Sequence, residues 1–333
     1  MANYSNIKGF NLVQVSSDPP NPVDGQLWYN TTAKALKGKV AGQAAWSSGG
    51  AMARVHYRGV GAGTQNAALH VGGQPGPEHW VEEYNGSTWS AQPNLPRESD
   101  NAGGCGTQTA AIVFGGKPPP TGTSDTLEYD GSSWTSGGTL NTGGSNFGSF
   151  GTAIAAAKFG GNPGSPPFNS DATEEYNGSS WTTVNSLPEL IKDQGGAGTQ
   201  TSGLAIGGDG GPGSQCYEYD GLNWGFAGSM SNPRAGGHGH FGLQNAAVAV
   251  GANSAPIKLL TEEYDGSSWS SAPSRSDTVG SVSSTGTSTS GLVFGGENPA
   301  HPTAGVGGAT TVTEEYSASG TTVQTIGSYD SGS

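Results

Sequence analysis

Short apolar runs that end in glycine recur along this chain. There are six, and the first glycine of each follows the previous one by 43, 45, 47, 44 and 44 residues. The runs are ALHVGG (68–73), AIVFGG (111–116), AAKFGG (156–161), LAIGG (204–208), VAVGA (248–252) and LVFGG (292–296). Their apolar positions are consecutive, which is typical of a strand buried on both faces. Each run therefore predicts a buried second strand, and the glycine-rich stretch before it predicts a short first strand.

A second pattern follows each apolar run and combines acidic residues with Tyr and Trp. The copies are EEYNGSTW (82–89), LEYDGSSW (127–134), EEYNGSSW (174–181), YEYDGLNW (217–224), EEYDGSSW (262–269) and a degenerate EEYSASGT (314–321). Tyr and Trp are five residues apart in the first five copies, whereas the sixth has Thr321 in the Trp position. We predict a third strand with the Tyr and a fourth strand with the Trp. The Asn-Gly or Asp-Gly pair would supply the positive φ angles of a tight hairpin between them.

A unit of about 45 residues with four short strands has the size of one β-propeller blade. Six copies predict an all-β, six-bladed propeller. Glycine would let neighbouring sheets approach closely near the centre, and Tyr and Trp would fill the wider gaps between sheets.

Trp46 indicates how the ring closes. It lies 18 residues before Thr64, the same distance that separates Trp89 from Thr107 in the repeat. Trp46 thus occupies a fourth-strand position although no complete unit precedes it, and the last unit is the one without a Trp. We predict that a strand around residues 45–47 completes the last blade, which leaves no open sheet edge. The alternative is a partial seventh blade built from residues 27–50.

Composition first suggests disorder, because 59 of the 333 residues are glycine and only 12% are charged. The regular spacing of Tyr and Trp argues against disorder, since disordered segments are poor in aromatic residues. A net charge of −13 excludes a general nucleic-acid or anionic-membrane binder, both of which need basic patches. The chain shows no signal-peptide pattern at its start and no apolar run near the roughly 18 residues of a membrane span. We therefore expect a soluble protein without membrane insertion.

Two levels of resemblance follow from these motifs. The double glycine and the fixed Tyr–Trp separation resemble kelch-type β-propellers over residues 51–327, although the usual Arg after the fourth strand survives only in places such as Arg97 and Arg234. The segments GTQTAAIVFGG (106–116) and TEEYNGSSWT (173–182) are similar to kelch-like repeats in virion proteins of marine bacteriophages, especially those of cyanobacteria. The phrase DPPNPVDGQLWYNTTAKALKG (18–38) is similar to an adaptor-like segment of phage tail and fibre proteins.

The resemblance implies a structural or adhesive virion component that is assembled in the host cytoplasm and is multimeric in the particle. Residues 1–26 would form an arm that docks onto other virion proteins, residues 27–50 a closing strand or hairpin, residues 51–327 the propeller and residues 328–333 a tail. The resemblance also implies a host-surface glycan or protein as a further partner. We expect no enzymatic activity and no cofactor.

Paired carboxylates and histidines are the candidate chemical groups. The Glu pairs recur at the same strand position at 82–83, 174–175, 262–263 and 314–315, so they predict a structural or solvent-facing ring. Acid–base catalysis needs one unlike pair in one pocket. His238 and His240 would project from one face of a strand and could help to hold a metal, but no further ligand lies nearby in sequence. We interpret them as packing or surface residues, and His70 as a buried histidine with satisfied hydrogen bonds.

The two cysteines occupy single positions in the repeat. Cys105 aligns with Ala62, and Cys216 aligns with Thr261. Their units are two apart around the predicted ring, whereas a disulfide needs Cα atoms within about 7 Å. We therefore predict two free thiols. The sequence contains no nucleophile–His–acid pattern, phosphate loop or calcium loop.

Variation in length concentrates between the second and third strands. From the first Gly to the Tyr the distances are 12, 14, 16, 12, 13 and 21 residues. In a propeller these loops share a face with the links between blades, and variable loops on a rigid scaffold often carry function. The candidate binding-face residues on this surface are His79, Lys117, Asp125, Phe168, Asn169, Asp171, Asp209, Lys258 and His301.

A lectin or glycan-degrading propeller is the alternative function. Unlike acids together with Arg at the central mouth would favour an enzyme, whereas a uniform ring of small residues would favour a scaffold.

Overall fold

The computed structural model describes residues 13–19, 26–41, 44–76, 78–116, 122–253, 257–302, 304–318 and 321–328. The chain divides into two compact units. One is Ala45–Ser317, and the other combines Met1–Ala44 with Ala318–Ser333. No helix among the described residues has the length and apolar character needed to cross a membrane.

The larger unit contains six four-stranded sheets, which we number 1 to 6 along the chain. Their first strands are β5 (Val60–Thr64), β9 (Gly103–Thr107), β13 (Gly148–Thr152), β17 (Gly195–Thr199), β21 (Gly239–Leu243) and β25 (Ser283–Thr287). The second strands are β6 (Ala67–Val71), β10 (Ala110–Phe114), β14 (Ala155–Phe159), β18 (Ser202–Ile206), β22 (Ala246–Val250) and β26 (Ser290–Phe294). The third strands are β7 (Val81–Tyr84), β11 (Thr126–Tyr129), β15 (Thr173–Tyr176), β19 (Gln215–Tyr219), β23 (Thr261–Tyr264) and β27 (Thr313–Ser317). The fourth strands are β8 (Trp89–Gln92), β12 (Trp134–Ser136), β16 (Trp181–Val184), β20 (Trp224–Ser229), β24 (Trp269–Ala272) and, for sheet 6, β4 (Ala45–Ser48).

The burial of these strands follows the sequence pattern. Every second strand has its last four residues buried, as its unbroken apolar run predicts. The first strands contact one another in order around the unit, and β25 contacts β5. This close approach requires glycine, because a Cβ on Gly196 would stand 2.2 Å from the backbone oxygen of Ser149 in the neighbouring sheet. The prediction of an all-β propeller is thus confirmed.

Closure by the early strand is also confirmed. Strand β4 pairs antiparallel with β27, and Trp46 lies opposite Tyr316. The Trp46 indole Nε1 donates to Thr261 Oγ1 at 3.2 Å and to the Pro273 oxygen at 3.0 Å in sheet 5. Trp46 therefore fills the position that the degenerate sixth repeat leaves at Thr321.

The count of six sheets is wrong, because the described residues form seven. The additional sheet lies in the smaller unit and has the order β1 (Val13–Val15), β2 (Leu27–Asn30), β3 (Ala35–Ala41) and β28 (Thr321–Ser328). Strands β1 and β2 are parallel, and the other pairs are antiparallel. Residues 27–50 thus serve two sheets. The alternative of a partial seventh blade is correct in part, because β2 and β3 lie within residues 27–50. Strands β1 and β28 were not predicted, since they carry no copy of the repeat.

One carboxylate organises the described part of sheet 7. Asp18 accepts hydrogen bonds from Trp28 Nε1 at 3.0 Å and Asn30 Nδ2 at 2.7 Å, and Lys37 Nζ lies 2.6 Å from it. These donors, Lys37 foremost, lower the pKa of Asp18 to about 2. The side chain of Trp28 is fully buried. The adaptor-like segment is therefore an ordered element between residues 26 and 38.

The hairpin between the third and fourth strands differs from the prediction. Tyr84 pairs with Trp89, which leaves four residues in the connection instead of two. Only the glycine, Gly86, has a positive φ (88°), whereas Asn85 caps the loop through its Oδ1, which accepts from the N–H groups of Ser87 and Thr88. The pattern repeats at Asp130, Asn177, Asp220 and Asp265. Asn and Asp are present because they bond to the backbone in this way.

The second acidic residue of each repeat joins neighbouring sheets. Each of these carboxylates accepts a hydrogen bond from the Tyr hydroxyl of the following sheet. The pairs are Tyr129–Glu83, Tyr176–Glu128, Tyr219–Glu175, Tyr264–Glu218, Tyr316–Glu263 and Tyr84–Glu315. The last of these, at 2.7 Å, links sheet 1 back to sheet 6. The six contacts thus form a closed cycle, which we call the Tyr–Glu contacts.

A Gln that directly follows the first strand in four of the six sheets supplies a second link between sheets. Gln108 Nε2 donates to the backbone oxygens of Ala68 at 3.1 Å and Tyr84 at 2.8 Å in the preceding sheet. Gln65, Gln200 and Gln244 make the equivalent bonds. This Gln therefore satisfies backbone oxygens that would otherwise be buried without partners.

The first acidic residue of the repeat is buried and paired with a cation in three sheets. Glu174 pairs with Lys158 at 3.1 Å, Glu262 with Arg234 at 2.8 Å, and Glu314 with Arg275 at 2.6 Å. All six side chains are at most 1% exposed. The Glu pairs thus have the structural role that the sequence predicts. Arg275, like Arg234, follows a fourth strand and pairs with a buried Glu.

Glu82 is the exception among these buried acids. Arg54 is stacked over the Trp80 ring at 3.7 Å, and neither carboxylate oxygen of Glu82 makes a well-formed hydrogen bond within the described residues. Burial raises the pKa of Glu82 to about 7, and the nearby backbone N–H groups of Ala53 and Arg54 oppose that rise only in part. His70, which lies opposite Glu82 on β6, is held neutral because burial lowers its pKa well below the usual value.

Truncation tests the closure. Removal of residues 1–44 leaves β4 in place, so the larger unit should keep a single cooperative unfolding transition. Removal of residues 1–50 exposes the edge of β27 and should cause aggregation or non-cooperative melting. Calorimetry and light scattering distinguish the two, and identical melting curves for both truncations would contradict closure by β4.

A Glu82→Gln variant tests the unpaired carboxylate. Because the folded-state pKa is raised, wild-type stability falls as pH rises from about 4.5 to about 7. The neutral amide avoids this cost, so the variant should be more stable than wild type at pH 8 by on the order of 2–3 kcal/mol and equally stable near pH 4. Denaturant unfolding across this range measures the difference.

The paired Glu262→Gln is the matched control. It leaves Arg234 buried without a charge partner, so it should lower stability at pH 8 by about 3 kcal/mol. A lower stability of Glu82→Gln at pH 8 would show that Glu82 has a favourable partner.

Candidate functional site

The loops between second and third strands lie beside the links between sheets. Isolated bridges join Ser145 to Asn162 and Lys192 to Asp209, and the pairs Tyr57–Gln74 and Gly280–Glu297 are equivalent. These loops and links therefore share one face of the larger unit, which we call the loop face. The turns that connect first to second and third to fourth strands lie at the opposite end.

The predicted binding-face residues occupy separate loops on this face. Phe168 is 54% exposed, and the side chain of Asp125 is 57% exposed with Arg97 Nε 3.9 Å away. Lys258 lies in a short 3-10 turn (Ile257–Leu259), and His301 Nε2 is 3.0 Å from Asp277 Oδ1. Asp171 accepts a backbone hydrogen bond from Leu187 through its main-chain oxygen. Lys117 falls outside the described residues.

Two of these loops are brought into contact. Asn169 Nδ2 of sheet 3 donates to the backbone oxygen of Asp209 of sheet 4 at 3.2 Å. Asp209 in turn lies 3.2 Å from Lys192 Nζ. His79 instead stacks on its neighbour Trp80, with ring centroids 4.5 Å apart. The predicted residues thus line a wide rim, and no single pocket among the described residues contains all of them.

A central cavity runs between the first strands. Its narrow part has a volume of about 190 Å³ and is lined by small residues, two phenylalanines and His240. One ring of equivalent positions in this part consists of Gly61, Gly104, Ser149, Gly196, His240 and Ser284. The wider part, of about 370 Å³, lies among the links and the loop-face residues Asn162 and Asn253, so it opens on the loop face. His240 lines both parts.

The wide part is surrounded by a ring of six equivalent positions, each six residues before the end of a first strand. We call it the mouth ring, and its members are Arg58, Asn101, Asn146, Asp193, Gly237 and Ser281. All six have positive φ, between 52° and 66°. Asn and Asp tolerate this conformation better than other residues with a Cβ, whereas Arg58 and Ser281 carry some strain. Non-glycine residues in such conformations cluster at functional sites.

Backbone hydrogen bonds connect the members of the mouth ring. The N–H of Asn146 donates to the oxygen of Asn101 at 2.8 Å, and that of Asp193 donates to Asn146 at 2.9 Å. Ser281 donates in the same way to Gly237 at 2.8 Å, and Arg58 to Ser281 at 2.9 Å. The positive φ values therefore aim these four N–H groups at the adjacent sheet, and the side chains are held around the opening.

Side-chain contacts in the mouth ring are polar. Asn146 Nδ2 donates to Asp193 Oδ1 in a short hydrogen bond. Ser281 Oγ donates to Asn253 Oδ1 at 2.8 Å or to Glu297 Oε1 at 2.7 Å. Burial raises the pKa of Asp193, while the bond from Asn146 opposes the rise.

The histidines of GGHGHFG lie at this site. Burial lowers the pKa of His238 to about 3 and that of His240 to about 4, so both are neutral. His238 Nε2 lies 3.2 Å from the backbone oxygen of Ile206, and the ring packs between sheets. His240 is the largest side chain of its ring of equivalent positions in the narrow part. The interpretation of His238 as a packing residue is consistent with this placement.

His70 is buried as expected, but its contact with the backbone of Gly72 falls short of good hydrogen-bond geometry. His70 is fully buried against His56, with ring centroids 4.5 Å apart, and none of the four ring nitrogens makes a hydrogen bond of good geometry within the described residues. Burial lowers the pKa of His56 to about 4 and raises that of Glu78, 3.5 Å away, to about 7. The His70 ring packs between the rings of His56 and Phe294, and these contacts help to position it.

Other expectations about chemistry have plain outcomes. Cys105 and Cys216 are both free and buried, as predicted, and burial raises the pKa of each thiol to about 12. Within the described part of the chain, no group of three or more His, Cys, Asp or Glu side chains could hold a metal ion.

The narrow and wide parts of the cavity favour different functions, a scaffold and an enzyme respectively. The narrow part has the small residues expected of a scaffold, whereas the mouth ring combines Arg58 with Asp193. The sequence analysis missed the mouth ring because its members differ in most repeats. Their constant spacing from the strand end, together with Asn or Asp at Asn101, Asn146 and Asp193, was the available signal.

Comparisons with known proteins identify the fold alone. No known family profile and no curated protein matches the chain. Among solved structures, one described as "Structure of YjhT" has a TM-score of 0.65 at 15% identity and covers 80% of this chain and 96% of that one. In all, 474 solved chains match, so the architecture is widespread and assigns no activity.

Asn146 provides a test of the mouth-ring conformation. Both Asn146→Ala and Asn146→Gly lose the hydrogen bond to Asp193. Alanine keeps a Cβ at a positive φ without a polar side chain to stabilise that conformation, whereas glycine adopts a positive φ without strain. We expect the Ala variant to be less stable than the Gly variant by about 1 kcal/mol. Urea unfolding measures this difference, and equal stabilities would argue that the φ value carries no strain.

Proposed function

We propose that this protein is a non-enzymatic structural component of a bacteriophage particle, a tail-fibre, head-fibre or decoration module. Its kelch-like ring of six sheets would present the loop face to a host surface or to other virion proteins. The observation that carries the proposal is the division between constant and variable parts. The Tyr–Glu contacts recur in all six sheets, whereas the loops of the loop face differ in length and residues.

The smaller unit supports attachment to the particle. Its sheet includes the segment similar to phage adaptor segments, and Asp18, Trp28 and Lys37 hold that segment in a defined structure. We propose that the N-terminal arm, residues 1–26, docks onto other virion proteins. Residues 1–12 and 20–25 of this arm lie outside the described residues. The protein would be multimeric in the virion after assembly in the host cytoplasm.

A surface-polysaccharide lectin or glycan-degrading enzyme is the second candidate. The observation that favours it is the mouth ring, where Asp193 with its raised pKa shares a cavity with Arg58. General acid–base chemistry uses carboxyl groups of this kind. Release of reducing sugar from host polysaccharide, lost in Asp193→Asn, would support the enzyme.

Location in the particle is the direct test of the proposed function. Gold-labelled antibody against the protein should decorate the tail, the fibres or the head surface of purified virions. Absence of the protein from particles that are infectious and complete would overturn the proposal.

The role of the loop face is tested by substitution of Phe168, Lys258 and His301 to Ala together. We expect at least a tenfold loss of attachment to host cells or to the virion partner, because interface energy concentrates in a few exposed anchors. The matched control replaces Ile154, Leu222 and Leu243, which are 72%, 61% and 54% exposed in or next to turns at the opposite end. The control should attach normally, and equal attachment of both variants would argue against binding through the loop face.

A further inference from the structure

The wide part of the central cavity has the dimensions of a small-molecule site. Its volume of about 370 Å³ falls within the roughly 300–1,000 Å³ typical of such sites. It is enclosed by links from every sheet of the larger unit, so the Tyr–Glu contacts that fix the sheets also fix its walls. A preformed cavity of this kind binds a ligand without first ordering a loop.

Hydrogen-bonding groups remain available around the cavity. Asn253 Oδ1 lies 2.8 Å from Ser281 Oγ, and no described residue accepts from the Asn253 NH₂ group, which leaves that group as a donor. Asn101 Nδ2 donates to Asp100 at 2.9 Å, which leaves the Asn101 amide oxygen as an acceptor. Asp193 uses Oδ1 for Asn146, and no described residue hydrogen-bonds to its Oδ2. Two acceptors, on Asn101 and Asp193, and one donor, on Asn253, thus line the opening, as a ligand with several hydroxyl groups requires.

The charges around the cavity argue against an anionic ligand. Lys192 Nζ lies 3.2 Å from Asp209, and an Arg58 nitrogen lies 3.8 Å from Glu297. Each cation that lines the described cavity therefore has its own acidic partner, and Asp193 adds a further carboxyl group. An anionic ligand would have to displace these partners, whereas a neutral ligand would not.

Apolar groups form part of the wall. Ala102, Phe147 and Val282 occupy equivalent positions on three links and line the cavity between the polar residues. Gly236 and Gly237 line the cavity without side chains, and a Cβ on Gly236 would stand 3.2 Å from the Asp193 side chain, closer than an ordinary van der Waals contact. A cavity with an apolar wall and convergent polar groups suits a molecule that has C–H and O–H faces.

We propose that the mouth ring and Asn253 bind one neutral sugar unit, with the sugar hydroxyls hydrogen-bonded to Asp193, Asn101 and Asn253. The proposal names a ligand class for the loop face and rests on the proposed function only for the source of that sugar, a host-surface glycan. The binding itself requires only the cavity.

The test measures binding of single sugars to the full chain. Ligand-observed NMR titrations use glucose, galactose, mannose and N-acetylglucosamine, with glucuronic acid as the anionic counterpart of glucose. We expect a Kd of about 1 mM for at least one neutral sugar, as a single small ligand in a shallow site would give. Glucuronic acid should bind at least tenfold more weakly than glucose if glucose is the ligand. No binding of any neutral sugar, or preference for the acid, overturns the proposal.

Two variants locate the site. Asp193→Asn keeps the shape and the acceptor for Asn146, and Asn253→Ala alters an exposed side chain, so each should fold. Each should weaken binding of the sugar at least tenfold. Glu98→Gln makes the same carboxyl-to-amide change at an exposed link position outside the cavity and should bind normally. Unchanged binding in both cavity variants places the sugar elsewhere and overturns the proposal.

The outcome is separable from that of the proposed function. Virion labelling with no sugar binding leaves the structural role intact and removes the sugar site. Sugar binding by a protein that is absent from the particle supports the sugar site and overturns the structural role.

Discussion

The hydrogen bond from a Tyr hydroxyl to the carboxylate of the preceding sheet is the interaction on which the larger unit depends. A single four-stranded sheet can bury neither of its faces alone, so each sheet needs a neighbour on both sides. The Tyr–Glu contacts fix that neighbour at every junction, and Tyr84 and Glu315, 231 residues apart, complete the cycle. Burial and the adjacent carboxylate raise the pKa of Tyr84 to about 12, so the hydroxyl stays protonated as a donor.

This constraint separates the constant geometry of the sheets from the freedom of the loops. Because contacts of Tyr, Glu, Gln and Trp fix the positions of the sheets, residues on the loop face contribute little to the stability of the fold. The mouth ring shows the consequence, since Arg58, Asn101, Asn146, Asp193, Gly237 and Ser281 share one backbone conformation but differ in chemistry. Strain at Arg58 and Ser281 is tolerated because the surrounding sheets determine the backbone.

Much of the fold was predictable because its signals are local and repeated. The apolar runs, the Tyr–Trp spacing and the position of Trp46 identified the strands and the closing strand correctly. The ion pairs were less accessible, because Lys158 comes from a second strand whereas Arg234 and Arg275 come from links. Sheet 7 was predicted only as the alternative of a partial blade within residues 27–50, because β28 joins the opposite end of the chain to β3 and no repeated motif marks that pairing.

The sequence by itself determined the repeating unit, the strand types and the partner of the incomplete last repeat, since periodic burial and turn chemistry act over a few residues. The high glycine content of the sequence has a structural reason, because inner strands approach too closely for a Cβ at positions such as Gly196. Only the tertiary structure decided which side chains meet across the ring. Residues that occur once in each repeat, about 45 positions apart, become neighbours at the mouth. No local pattern in the sequence predicts contacts between residues so far apart along the chain.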